Sequence, residues 1–155
     1  VAKLDNTEFL SVVSNTPLIA LDLILHDEQD CYLLGRRVNR PARGVWFVPG
    51  GRVRKDERLD DAFARLTQEE LGLHGVDRSE AELIGVYEHF YDDNFSGKDG
   101  ISTHYVVLGY RIRLTQRLAH LPLDQHSDYR WASAEDIALD ESVHHNSRAY
   151  FVTGS

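Results

Sequence analysis

The chain has one cysteine, four prolines and fewer basic than acidic residues, and no run of apolar residues long enough to span a bilayer. Each shortage excludes something. A single cysteine, Cys31, cannot form an intrachain disulfide and cannot build a cysteine-based zinc cluster, so a reducing cytoplasm is the expected setting. The longest apolar run, residues 18–25, is broken by Asp22 and falls far short of the roughly 20 residues that cross a membrane. With no basic leader or small-residue cleavage site, neither a membrane partner nor a signal peptide is expected. The net charge is −8, from 17 basic and 25 acidic residues. A general nucleic-acid binder carries the opposite sign, so nucleic acid is not an expected partner.

What remains is ordinary material for a globular fold. A length of 155 residues predicts a single domain over residues 1–155, large enough to bury a core, and the 42% hydrophobic and 27% charged fractions agree. The positive charge is concentrated. Arg36, Arg37, Arg40, Arg43, Arg52, Arg54 and Lys55 crowd into one stretch, which in an acidic chain suits a small anionic ligand.

The pattern predicts a short helix over 7–14 capped by Thr7, a buried strand over 18–25 and a returning strand over 31–34. Pro49-Gly50-Gly51 predicts a sharp turn at which backbone can approach a ligand. Asp60 and Asp61 suit a helix start and Gly72 its end, with Leu59, Ala62, Phe63 and Leu66 as the core-facing stripe. Further strands are expected over 83–89, 103–114 and 129–132, a helix after Ser133, and a terminal helix over 144–151. Strands mixed with helices around one sheet give an α/β fold.

Between residues 51 and 73 the chain carries Gly51, Glu57, Arg65, Glu69, Glu70 and Gly72 at fixed spacing. Adjacent glutamates at a helix end offer oxygen ligands to a hard divalent ion such as Mg²⁺, and Gly50 or Gly51 can add a carbonyl. This stretch resembles the Nudix box, G-x5-E-x7-R-E-U-x-E-E-x-G-U. The likeness implies an α/β/α sandwich with a mixed sheet. One fixed letter fails: Leu66 stands where the pattern has a glutamate, four residues before Glu70 and on the same helical face. The site loses a charge, so one Mg²⁺ per active site is expected, with Glu70 as its principal carboxylate. Glu57 is expected to pair with Arg65.

Outside the box the chain is similar to one Nudix branch, the GDP-mannose mannosyl hydrolases. The likeness is carried by Asn39-Arg-Pro-Ala, Trp46-Phe-Val-Pro-Gly-Gly-Arg, His89-Phe-Tyr-Asp-Asp-Asn-Phe-Ser-Gly, Thr103-His-Tyr-Val-Val-Leu-Gly, Gln125-His126 and His145-Asn-Ser-Arg-Ala-Tyr-Phe. Loss of the glutamate at Leu66 is itself a trait of that branch. The resemblance implies water attack on C1 of the sugar with inversion, releasing GDP and free hexose. It implies His126 as general base, in one loop with Gln125 as an amide ligand, and Gly50, Glu70 and Gln125 as the metal set. Arg37 and Arg52 match residues that neutralise the leaving diphosphate, a task for which a guanidinium is suited.

Two further residues keep two readings each. Asp22, alone in an apolar run, is either a satisfied structural carboxylate or a ligand or support for catalysis, where we group it. Tyr105 is either a core tyrosine or a donor to the diphosphate. The family also implies a homodimer exchanging N-terminal elements. Two other functions stay open. One is an ordinary Nudix diphosphatase cleaving at phosphorus. The other is a nucleotide-sugar sensor without turnover.

Overall fold

A computed structural model describes residues 4–115, 118, 121–122 and 126–152, with backbone alone at 126 and 127. In chain order the elements are α1 (Asn6–Asn15), β1 (Leu18–His26), β2 (Cys31–Arg37), β3 (Trp46–Phe47), β4 (Gly50–Arg52), α2 (Leu59–Leu71), β5 (Glu82–Tyr91), β6 (Thr103–Arg113), β7 (His126–Ser133), α3 (Ala134–Leu139) and α4 (His145–Arg148). A 3₁₀ turn, Arg78–Glu80, precedes β5. No helix among the described residues is long and apolar enough to cross a membrane.

β1 is the organising strand. It runs parallel to β6 over its whole length and antiparallel to β4 and β2 on its other edge, so the sheet is mixed. β5 continues the sheet beyond β6, while β2 carries β3 and β7. Period-two alternation sends Leu21, Leu23 and Leu25 to one face, where they meet Phe63, Leu66 and Leu71 of α2. Ile24 points to the other face and packs with Leu34, Val48, Ile137, Val143 and Phe151. Helices on both faces of a mixed sheet make the α/β/α sandwich that the Nudix resemblance implies. Burying side chains such as Phe63 and Leu71 contributes about 1.5–3 kcal/mol each.

The α2 stripe is observed, with Ala62, Phe63 and Leu66 buried, and the helix ends at Gly72 in the left-handed region (φ 67°). The Gly72 amide donates to the Gln68 carbonyl, a stop that a glycine makes without strain. Other expectations need correction. α1 is capped by Asp5, whose side chain accepts from the Glu8 amide at 2.8 Å, and Thr7 lies inside the helix. Pro49-Gly50-Gly51 is not a sharp turn, because Gly50 and Gly51 are strand residues paired with Asp22 and Leu21. Their lack of a side chain serves close packing. A Cβ at Gly50 would stand 2.6 Å from Oδ1 of Asp22, and one at Gly51 would collide with Leu66. The last helix is only four residues, followed by a turn through Phe151.

Candidate active site

A cleft of about 440 Å³ opens over β1, β4 and β6, between α1, the 39–41 loop and α2. It gathers Asp22, Arg37, Gly50, Arg52, Glu70 and Tyr105, six residues singled out from the sequence. Gln125 lies outside the described residues. His126 is not a loop residue as expected but the first of β7, and its backbone is opposite Arg37 across a register irregularity. Its side chain lies outside the description.

The α2 wall is built around Arg65. Its Nε and Nη2 donate to both oxygens of Glu57 at 2.8 and 2.9 Å, the expected pair, and Nη2 also reaches the Arg52 carbonyl at 2.8 Å. This charge-assisted fork holds the Glu57 carboxyl at about 2, far below its ordinary 4.5, and ties the loop before α2 to β4. Arg65 also donates to Glu69 at 3.2 Å. Both neighbouring glutamates line the cleft but differ in surroundings: the Glu69 side chain is half exposed and held by Arg65, while Glu70 is only 7% exposed.

The donors near Glu70 fit a hard divalent ion. Hydrogen bonds from Leu23 to the Pro49 carbonyl and from Val53 to the Ile19 carbonyl show which residues of this edge point at β1. Alternation turns the carbonyls of Gly50 and Arg52 away from it. The Arg52 carbonyl accordingly meets Arg65 of α2, and that of Gly50 leaves on the same side, one step along β4. Leu66, 2% exposed and pressed against Gly51, contributes no ligand at the position where a second carboxylate would stand. Among the described residues no group of three or more His, Cys, Asp or Glu side chains is placed to hold a metal ion.

Cations line the opposite wall. Arg37 lies over the Phe47 ring at 5.4 Å and Arg52 over Phe9 of α1 at 4.5 Å. Burial lowers the affinity of Arg52 for its proton, and the nearby Tyr105 opposes this. Burial in turn pushes the Tyr105 hydroxyl up, against the pull of Arg37 and Arg52. Tyr105 therefore stays neutral and able to donate, within the electrostatic reach of both guanidinium groups. Asp22 lies deep in the cleft floor with one side open to it. Burial raises its carboxyl from 3.8 to about 7, although the Tyr150 hydroxyl, donating to Oδ2 at 2.6 Å, and the Arg37 charge both lower it.

The structure places in the cleft residues to which sequence reasoning gave no individual role. Phe9 and Phe95 pack at 4.9 Å between ring centroids and form an aromatic rim. Phe95 is presented by a loop that the fully buried Asn94 braces through bonds to the Lys98 and Ile101 carbonyls, both 2.8 Å. The Ala42 amide bonds Asp93 at 3.3 Å and joins the two loops at the cleft mouth. Tyr91 and His89 line the inner wall. No local signal separated His89 from the other seven histidines, because only the β5–β6 register puts it opposite Tyr105.

His89 is pushed from 6.5 down to about 4, chiefly by burial and then by the neighbouring His145. Its folded-state value is lowered, so the unfolded chain binds more protons between those limits. The stability gained by burying it neutral is complete above about pH 6.5 and is lost as pH falls towards 4. Replacing His89 with Gln should therefore flatten the loss of stability between pH 7 and pH 4.5 by on the order of 2 kcal/mol, read from urea unfolding at both pH values. An unchanged pH dependence would place the acid sensitivity elsewhere.

Known proteins resemble this chain along most of its length. Residues 16–152 match the NUDIX domain family. The chain is 42% identical over 130 residues to the low-salt glycan biosynthesis protein Agl8 of Haloferax volcanii, covering 83% of this chain and 78% of that protein. A shorter match, 35% over 71 residues, joins it to the ADP-ribose pyrophosphatase of Methanocaldococcus jannaschii, covering 46% and 40% of the two chains. Among solved structures, a MutT protein from Methanosarcina mazei superposes with a TM-score of 0.69 at 25% identity, covering 88% of this chain and 92% of that one. The Nudix domain of NrtR from Shewanella oneidensis, solved with ADP-ribose, superposes at 0.65 with 19% identity over 96% and 95%. With the box, the sandwich and the family match agreeing, this chain belongs to the Nudix family.

Proposed function

We propose that the protein is a Mg²⁺-dependent hydrolase of GDP-hexoses that directs water to C1 of the sugar and releases GDP. The observation that carries this reading is the asymmetric cleft. One wall holds Glu70 with Leu66 where a second carboxylate would stand, and the other holds Arg37, Arg52 and Tyr105 around space for a diphosphate. Attack at phosphorus is commonly served by paired metal ions that stabilise both attacking and leaving oxygens, which needs several carboxylates. Departure of an intact diphosphate needs mainly positive charge on the leaving group. The relative named for glycan biosynthesis supports a sugar-linked substrate.

The chain's own residues would divide the work. Arg37 and Arg52 bind the diphosphate, and their attraction strengthens as negative charge grows on it. Tyr105 donates a neutral hydrogen bond to the same group. His126, on the strand beside Arg37, removes the proton of the attacking water. Glu70, the Gly50 carbonyl and Gln125 would hold the divalent ion, which supplies further positive charge to the leaving group.

The deciding experiment is incubation of GDP-mannose with the protein and Mg²⁺ in heavy-oxygen water, with products read by NMR and mass spectrometry. GDP and a hexose bearing the heavy oxygen at C1, formed first as the β anomer, are expected. Label on phosphate, with GMP and sugar phosphate as products, would replace this reading with an ordinary diphosphatase. Binding without products would leave a sensor.

A further inference from the structure

Four strands meet in one row, of which Asp22 and Gly50 line the cleft. Gly50 of β4 is opposite Asp22 of β1, Asp22 pairs with Gly109 of β6, and Gly109 pairs with Gly85 of β5. Asp22 is the only residue of the row with a side chain. The bare backbone on one flank leaves a trough that two tyrosines fill. A Cβ at Gly109 would stand 3.1 Å from Cε1 of Tyr150 and 3.2 Å from Cε2 of Tyr87, and a Cβ at Gly85 would stand 3.1 Å from the Tyr87 hydroxyl. The two rings pack edge to face with centroids 4.7 Å apart. Tyr150 also meets the edge of His89 at 6.1 Å. With its ring seated this way, Tyr150 extends its hydroxyl to Oδ2 of Asp22 at 2.6 Å, a contact between residues 128 apart in sequence.

The other flank of Asp22 is different. Gly50 adds no side chain there, Oδ1 faces it, and both residues line the cleft, whereas Tyr150 lies behind the cleft wall. The two carboxylate oxygens thus have separate surroundings. We propose that Tyr150 is a positioning residue, holding Asp22 in one rotamer so that Oδ1 alone is offered to a hydroxyl of the bound sugar. A carboxylate free to turn accepts hydrogen bonds in several directions, whereas one pinned at Oδ2 accepts from the cleft in only one. Such a site discriminates between hexoses that differ at one hydroxyl, since the wrong epimer leaves a buried acceptor unpaired. This inference rests on the GDP-hexose reading above.

Tyr150→Phe keeps the ring in its trough and removes only the hydroxyl. The test compares wild type, Tyr150→Phe, Asp22→Asn and the double variant. For each, kcat and KM are measured with GDP-mannose and GDP-glucose, together with inhibition by GDP and the melting temperature. Tyr150→Phe is expected to lower kcat/KM for the preferred hexose about tenfold and to narrow the preference between the two, leaving inhibition by GDP unchanged. In the Asp22→Asn background it should do nothing further. Wild-type kinetics in Tyr150→Phe, the same tenfold loss in the Asp22→Asn background, or equal weakening of GDP inhibition would each overturn the role of Tyr150 alone. A wild type that turns over neither GDP-hexose would remove the proposed function and this inference together.

Discussion

Replacing His126 with Gln is expected to lower turnover by about 10²–10⁴-fold while leaving KM for the GDP-sugar nearly unchanged. A general base acts only while water is losing its proton, so its removal is felt in the transition state and little in the bound ground state. The position of the strand supports the choice of residue: β7 begins at His126, opposite Arg37 of β2, and Arg37 lines the cleft. Only neutral imidazole accepts a proton, so wild-type activity should rise with pH across the range in which imidazoles titrate. The variant should lack that ascending limb. Arg37→Gln and Arg52→Gln should behave differently, lowering kcat and raising KM together, because a guanidinium meets the diphosphate in both states. A His126→Gln enzyme with the same ascending limb and near-normal turnover would transfer the base to another group. His89 would be a poor substitute, since burial holds it neutral throughout that range and leaves it little basicity.

Glu70→Gln should produce the second large loss. An outer partner of a metal site typically costs about 10–100-fold in affinity or activity when it is removed, and a direct ligand that also loses its charge should cost at least that. Glu69→Gln should do much less, because Glu69 is exposed and spends its charge on Arg65 at 3.2 Å. The contrast follows from helix geometry. Glu70 is one turn beyond Leu66 and shares its inward face, while Glu69 is one turn beyond Arg65 and shares the partly open one. Titration of Mn²⁺ followed by magnetic resonance should count one tight site in wild type and none in Glu70→Gln. Equal losses at both glutamates, or several essential ions per chain, would refute a single-ion site built on Glu70.

Closeness along the chain explains why parts of this protein were legible in the sequence. The α2 stripe, its glycine stop, the Glu57–Arg65 pair and the lost carboxylate at Leu66 all lie within about twenty residues. A helical period and a cap are dictated by neighbours three to eight positions away, so their spacing alone carries the geometry. The apolar run containing Asp22 identified a buried strand for a similar reason. Asp5 took the cap expected at Thr7 because both are good capping residues two positions apart, and local pattern does not choose between them.

The assembly of the cleft was another matter. Phe9, Asp22, Arg37, Glu70, His89 and Tyr105 come from six elements, and only strand register together with the packing of α1 and α2 on the sheet brings them to one place. Register is decided by burial of whole faces, since a slip of one residue would turn every side chain over. That is why His89 looked like any other histidine, and why Gly50 and Gly51 read as a turn when their bareness serves β1 and Leu66. The chain by itself determined which chemical groups exist and how they sit along α2. The parallel pairing of β1 with β6 decided that a glycine row would flank Asp22 and that a tyrosine 128 residues away would reach it, because contacts between distant segments follow from packing the entire sheet.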